Sequence, residues 1–142
     1  MLDKTKFYID GQWVAPIDGT NFPVINPATE EAYAIISLGG ARDAEVAIAA
    51  AKAAFSAWSF TTVETRIQHL EKLLSVYESR MQDMAQAISS EMGAPIDMSL
   101  SDQAGSGRGH LKAFIRALGS IEFQRPLRSG VEGQDIAFEA AG

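Results

Sequence analysis

Apolar and polar residues alternate along residues 7–27, FYIDGQWVAPIDGTNFPVINP. Alternation at period two predicts half-buried β-strands. The strands are separated by Asp10-Gly11 and Asp18-Gly19, and an Asp-Gly pair supplies the positive φ that a tight primed turn needs. Asn26-Pro27 ends the pattern, since proline fixes φ and removes a backbone donor. We therefore expect an antiparallel meander that stops at a rigid corner.

The period changes after one more strand. Residues 32–38, AYAIISL, are short, apolar and β-branched, and Gly39-Gly40 ends them. Residues 43–58 then show the spacing of an amphipathic helix, whose apolar face we expect to pack in a core. Asp43 lies near the helix start, where its carboxylate can accept from free backbone N–H groups. The apolar face consists of Ala44, Ile48, Ala51, Phe55 and Trp58.

A second helical region follows a capping box, Thr61 with Glu64 three residues later. Gly93 predicts its end, with Pro95 just beyond. The region has two successive apolar faces. The first consists of Ile67, Leu70, Leu74, Tyr77 and Met81, and the second of Met81, Ala85, Ile88 and Met92.

Residues 102–110, DQAGSGRGH, have the glycine content of a phosphate-binding loop. A dinucleotide loop needs G-x-G-x-x-G between a strand and a helix. Here the third glycine comes one residue early and the preceding residues are polar. We therefore predict a slim helix segment for close packing. Its apolar face continues through Leu111, Phe114, Ile115, Leu118 and Ile121.

The two histidines offer little chemistry. His69 has no metal-ligand residue at suitable spacing, so we predict a surface or rim position. His110 follows Asp102 by eight residues, but a His-Asp pair without a positioned nucleophile is weak evidence for catalysis.

Charge and composition exclude several classes. The net charge of −6 argues against nucleic acid and against an anionic membrane surface as partners. No apolar run approaches the roughly 20 residues of a membrane span, and the first residues lack a signal-peptide core. The 142 residues include no cysteine, which excludes disulfides and zinc–thiolate sites. A cytoplasmic location is the expectation.

Residues 8–13, YIDGQW, and residues 22–31, FPVINPATEE, resemble the amino-terminal signature of the aldehyde dehydrogenase superfamily. Further similarity follows in order along the chain, in the helix of residues 43–58 and in residues 91–95 and 105–118. Ala94 stands where the family commonly has lysine. Residues 139–142, EAAG, resemble an E-P-x-G pattern with alanine for proline. The resemblance covers essentially the whole chain.

The resemblance implies the α/β class and the amino-terminal part of an aldehyde dehydrogenase-like fold. The expected order is a β-hairpin or meander, three to four amphipathic helices, and the start of an oligomerisation strand. Residues 1–125 would form the amino-terminal part of the cofactor-binding domain. Residues 126–142 would start a truncated oligomerisation or bridging strand, in which Ile136, Phe138 and Ala140 alternate.

The implied activity is the oxidation of an aldehyde to a carboxylate with NAD or NADP, in a homo-oligomer. The family attacks its aldehyde with a cysteine thiolate, which this chain lacks. We therefore predict that these residues are inactive alone and bind no cofactor alone. No catalytic, cofactor-binding or metal residue carries over, although Asp102 falls roughly where some relatives hold a structural monovalent cation. The implied role is scaffold and subunit contact.

Two alternatives stay open. The chain could be a free-standing helical interaction module, or the remnant of a truncated dehydrogenase gene. A non-oxidising or coenzyme-A-acylating branch of the superfamily would look the same over these residues.

The helix faces also carry an expectation about stability. Each large apolar side chain contributes roughly 1.5–3 kcal/mol when it is buried, and in the family part of that burial is against a sheet that this chain lacks. We expect the isolated chain to be marginally stable. It would then either associate or expose a large apolar surface, and its final strand would present an open edge.

Overall fold

The computed structural model describes residues 1–126 and 137–139, with side chains through residue 123. Within these ranges the chain begins with strands and continues with helices. The strands are β1 (Leu2–Lys4), β2 (Phe7–Ile9), β3 (Gln12–Val14), β4 (Thr20–Asn26), β5 (Glu31–Leu38), β6 (Gln124–Pro126) and β7 (Ala137–Glu139). The helices are α1 (Ala41–Trp58), α2 (Val63–Ser79), α3 (Met81–Met92), the short α4 (Ile96–Met98) and α5 (Gly105–Ser120). A π-helical turn, Ser99–Ala104, joins α4 to α5. We call it the wide turn.

The first five strands form two separate sheets. Strands β2 and β3 make a hairpin in which Phe7 pairs with Val14. Strand β5 lies between β1 and β4 in a second sheet. It is antiparallel to β4 and parallel to β1, with Leu2 paired to Ala34. The α/β class is therefore confirmed, but a single meander over residues 7–27 is wrong because β3 and β4 do not pair.

The two Asp-Gly pairs have different roles. Asp10 and Gly11 have φ of 50° and 73°, as a primed hairpin turn requires. Gly19 has no such φ, so the primed turn predicted at Asp18-Gly19 is wrong. The physical reason is that residues 15–19 cross from one sheet to the other instead of reversing the chain.

The corner at Asn26-Pro27 is a turn between β4 and β5. The Asn26 side-chain oxygen accepts from the Ala28 N–H at 2.9 Å, and the Asn26 carbonyl accepts from the Glu30 N–H at 2.8 Å. These bonds supply the turn chemistry expected of asparagine before proline. The strand predicted over residues 32–38 is confirmed as β5.

The helix boundaries follow local signals. Gly93 has φ of 75° and ends α3, as predicted. Thr62, not Thr61, caps α2, since its hydroxyl accepts from the Thr65 N–H at 3.2 Å. Thr61 instead donates to the Trp58 carbonyl oxygen at 2.7 Å. The predicted capping box was therefore one residue too early.

The buried interior is small and is made of small side chains. The buried apolar residues among those described are all alanines, and the fully buried Ser99 lies with them. Ala85, Ser99 and Ala104 let α3 and the wide turn lie close together, because small side chains let backbones approach. The buried alanines are Ala34, Ala85, Ala94 and Ala104.

The large apolar side chains lie mostly at the surface. Ile48 is 66% exposed, Phe55 51% and Trp58 46%. The α1 face predicted to pack in a core is thus left uncovered by the residues that the structure describes, although the helix itself is confirmed. The apolar faces predicted for α2 and α3 are less exposed than that of α1, since most of their residues are half-buried. The expected exposed apolar surface is confirmed.

The last strands form a two-stranded sheet, in which Arg125 pairs with Phe138. Strand β6 was not predicted. Strand β7 includes Phe138 of the predicted alternation, whereas Ile136 and Ala140 lie outside the described residues. A two-stranded sheet is marginal by itself, so this region needs support from elsewhere.

Candidate functional site

The structure keeps the two histidines and Asp102 apart from any recognisable reaction centre. His69 is exposed on α2, with its ring centroid 5.6 Å from that of Trp58. His110 is exposed on α5, and Asp102 is exposed in the wide turn, where its carboxylate accepts from the Ser101 hydroxyl at 3.2 Å. The predicted surface position of His69 is confirmed.

The glycine-rich segment is helical, as predicted. Gly105, Gly107 and Gly109 all lie in α5, which follows the wide turn without a loop. Gly107 faces Tyr77 of α2, while nothing lies within 4 Å of a Cβ built on Gly109. A phosphate loop would instead present its backbone N–H groups in a turn between strand and helix. The segment is therefore a packing element.

The most connected polar side chain is Asp43, in the first turn of α1. Its carboxylate accepts from the backbone N–H groups of Ile17 at 2.7 Å, Gly40 at 2.9 Å and Asp18 at 3.3 Å. Only 6% of the residue is exposed. Sequence predicted an acceptor of backbone N–H groups here. It did not show that two of the three donors, Ile17 and Asp18, come from the segment between the two sheets.

These bonds stabilise the charged carboxylate. The N–H groups of Ile17 and Gly40 lower the pKa of Asp43 below its ordinary value, and burial opposes them more weakly. Beside it, Arg42 forms an ion pair with Asp18, with Nε donating to Oδ2 at 2.7 Å. Residues 17–18 are thus fastened to the amino end of α1. No local pattern signalled this pair.

The carboxyl end of α1 is fastened by Arg66 of α2. Its guanidinium donates to the Thr61 hydroxyl at 3.0 Å and to the Ser59 carbonyl oxygen at 3.1 Å. It also lies 6.0 Å from the ring centroids of both Trp58 and Phe123, within cation–π range. Helix α1 is thus tied at both ends.

A concave surface lies between the hairpin and α1. Two adjoining grooves of about 380 and 520 Å³ share Tyr8, Ile9 and Ala47 in their walls. Alanines of α1 form much of the helix side, and the other wall is hairpin backbone and Tyr8. The charged side chains in this lining are those of Lys6, Asp10 and Asp43, and the Asp43 carboxylate is already bonded to backbone N–H groups.

The donor groups needed for metal binding are also scattered. Among residues 1–126 and 137–139, no three His, Asp or Glu side chains cluster where a metal ion could bind. None of the described helices combines the length and hydropathy needed to cross a bilayer.

Comparison with known proteins identifies what this packing unit resembles. The sequence profile of the aldehyde dehydrogenase family matches residues 13–137. A 3-succinoylsemialdehyde-pyridine dehydrogenase from a Pseudomonas species is 41% identical over 128 residues, which is 89% of this chain and 27% of that protein.

Solved structures agree with the sequence match. An aldehyde dehydrogenase from Bartonella henselae superposes with a TM-score of 0.90 and 50% identity, over 93% of this chain and 28% of its own. A mutant of aldehyde dehydrogenase C from Pseudomonas syringae, in complex with NAD+ and octanal, superposes with a TM-score of 0.84 and 40% identity. The match covers 91% of this chain and 26% of that one.

The chain spans only about a quarter of the length of these relatives, with shares of 26–28%. The profile match nevertheless includes strands β4 and β5 and all the helices described above. Its order and its three-dimensional arrangement agree with one family throughout. This chain belongs to the aldehyde dehydrogenase family.

Proposed function

We propose that this chain is the amino-terminal structural part of an enzyme that oxidises an aldehyde to a carboxylate with NAD or NADP. Its role is to supply a packing surface and a subunit contact, and it has no activity of its own. The relative from Pseudomonas syringae was solved with NAD+ and octanal. That complex supports both the cofactor class and an aldehyde substrate for the whole enzyme.

The uncovered face of α1 is the observation that carries this proposal. Phe55 follows Ile48 by 7 residues and Trp58 follows Phe55 by 3, so the three lie on one side of the helix, and each is at least 46% exposed. Exposed apolar surface of this kind marks an interaction site in a soluble protein. Burial of each such side chain contributes roughly 1.5–3 kcal/mol, enough together to hold a partner surface.

The way in which α1 is held supports a preformed docking surface. Asp43 and Arg42 fasten its amino end, and Arg66 fastens its carboxyl end. Among the elements that the structure describes, α1 makes appreciable contact with β2 of the hairpin alone. A helix fixed at both ends and bare between them has little conformational entropy left to lose when a partner covers it.

The chain divides into parts of two domains of the enzyme. Residues 1–125 belong to the cofactor-binding domain and lack its catalytic groups, since the chain has no cysteine to act as the family nucleophile. Residues 126–142 begin the oligomerisation strand. The small sheet of β6 and β7 supports this, because it makes no substantial contact with the other described elements, and a two-stranded sheet is marginal without further pairing.

A chimaera tests the proposal. The chain replaces the matching segment of the Bartonella henselae aldehyde dehydrogenase, which is 50% identical to it. We expect the chimaera to reduce NAD+ in the presence of an aldehyde, and the 142-residue chain to produce no NADH. The unmodified Bartonella enzyme shows that the assay and the chosen aldehyde are suitable.

Substitutions in the chimaera locate the packing surface. Phe55→Ser should lower its free energy of unfolding by about 3–5 kcal/mol, the cost of truncating a buried aromatic side chain. Ala53→Ser, two residues earlier and on the opposite side of the helix, is the control and should have a small effect. A folded chimaera without activity, or NADH production by the chain alone, would contradict the proposal.

A further inference from the structure

The wide turn between α4 and α5 departs from regular helix geometry. The N–H of Gly105 faces two carbonyl oxygens, that of Leu100 five residues earlier and that of Asp102 three residues earlier. An α-helix would instead pair it with the residue four positions earlier. Single π-helical turns inside helices are rare and frequently lie at functional sites. This turn therefore needs a physical explanation.

Burial at its two ends explains why the turn is widened. Ser99 and Ala104 are both completely buried. Five residues of α-helix advance about 500°, which would point these two side chains about 140° apart. The wider turn reduces this angle, so both residues can face the interior formed with α3. The helix thus accepts an irregular hydrogen-bond pattern in exchange for close packing.

A tyrosine of α2 reaches the turn at its junction with α5. The Tyr77 hydroxyl of α2 donates to the Ala104 carbonyl oxygen at 2.9 Å. A Cβ on Gly107 would lie only 2.8 Å from Cζ of Tyr77. Gly107 is therefore the residue that makes room for the tyrosine ring.

Two local bonds add to this arrangement. The Ser106 hydroxyl donates to the Asp102 carbonyl oxygen at 2.6 Å, and the Ser99 hydroxyl donates to the Ala94 carbonyl oxygen at 3.4 Å. Both lie within the same stretch of chain. Tyr77 differs from them because it connects the turn to a helix 27 residues away in sequence.

We propose that the wide turn is a local opening point in the α2–α5 pair, and that the Tyr77 hydroxyl is the latch that holds it closed. When the hydroxyl releases Ala104, the irregular hydrogen bonds around Gly105 can open while the apolar contacts of α5 further along stay intact. The latch depends on three features: the Gly105 N–H shared between two carbonyl oxygens, the space that Gly107 leaves for the tyrosine ring, and the hydrogen bond from Tyr77 to Ala104. It is independent of the catalytic role of the enzyme.

Amide hydrogen exchange in the full chain tests this inference. In Tyr77→Phe, which keeps the ring and removes the hydroxyl, amides of residues 103–106 should exchange about fivefold faster, the effect of losing one neutral hydrogen bond. Amides of residues 111–118 in the same helix should keep their rates. Tyr8→Phe, the same chemical change on the exposed hairpin tyrosine, should alter neither set.

The proposal is overturned if the turn amides keep their rates in Tyr77→Phe. It is also overturned if all amides of α5 accelerate equally, because that pattern reports a general loss of stability. If the variant does not fold, the denaturant dependence of hydrogen exchange in the unmodified chain tests the proposal instead. At low denaturant, exchange at residues 103–106 should be nearly independent of denaturant, as local opening requires. A dependence equal to that of the buried amides of α3 would contradict the latch.

Discussion

Helix α1 and the junction of α3 with the wide turn use apolar residues in opposite ways. Helix α1 presents large side chains such as Phe55 and Trp58 to the surface and is held by polar contacts at its ends. The α3 junction buries Ala85, Ser99 and Ala104 completely. Small side chains complete the packing inside this chain, whereas large ones are left for another surface. The small buried side chains therefore stabilise the fold of this chain, whereas the large exposed ones are available to bind another protein surface.

The largest effect is expected from filling the α3 interior. Ala85→Leu adds three carbons at a position with no exposed surface, and overpacking of this kind costs about 3 kcal/mol. Ala87→Leu, on the same helix but exposed, should change the free energy of unfolding by less than about 0.5 kcal/mol. Urea unfolding followed by circular dichroism measures both. Equal losses would mean that α3 has no preferred buried side.

Alanine substitutions at two glycines of α5 should change the stability by smaller amounts and in opposite directions. Gly107→Ala would place a Cβ against the Tyr77 ring and should destabilise the chain by about 1–2 kcal/mol. Gly109→Ala meets nothing within 4 Å and should stabilise it by up to about 1 kcal/mol, because alanine favours the helix. Thermal unfolding of the two variants distinguishes them. The interpretation fails if both substitutions shift the midpoint in the same direction.

Asp43 should make the attachment of α1 dependent on pH. Its pKa in the folded chain is lowered by the N–H groups of Ile17 and Gly40, so the folded state favours the carboxylate. Its contribution to stability is therefore complete above the unfolded pKa of about 3.9, and is lost as the pH falls through the lower folded pKa. Asp43→Asn should remove this part of the acid dependence, measured by unfolding at a series of pH values. An unchanged pH profile would show that the carboxylate contributes nothing.

The smallest effect on stability is expected at the exposed face of α1. Phe55→Ser in the chain alone should change the free energy of unfolding by less than about 0.5 kcal/mol, because Phe55 is already half exposed. It should, however, reduce self-association, since it removes apolar surface available to a second molecule. Sedimentation velocity measures the association. A large loss of stability without a change in association would mean that the face is already covered.

Sequence reasoning succeeded where the signal was local. Helical spacing predicted α1, α2 and α3, and Gly93 marked the end of α3. The glycine-rich segment could be assigned to a helix because its spacing does not fit a phosphate loop. These features depend on neighbours within a few residues, so the chain alone specifies them.

Features that depend on distant partners could not be predicted. The pairing of Leu2 with Ala34 joins residues more than 30 positions apart, and the two sheets look like one meander until their partners are known. Asp43 was recognisable as an acceptor, but its donor at Ile17 was not. Likewise, the contact of Tyr77 with Ala104 leaves no local pattern. The fold class and family were thus readable, while the polar ties between elements were not.

Hydrogen exchange along α1 tests most directly the claim that this helix is an attachment surface. Amide protection in α1 and α3 is compared in the 142-residue chain and in the Bartonella chimaera. We predict that α1 exchanges faster than α3 in the chain alone, and that in the chimaera its protection rises to that of α3. Equal protection of α1 and α3 in a monomeric chain, unchanged in the chimaera, would contradict the account.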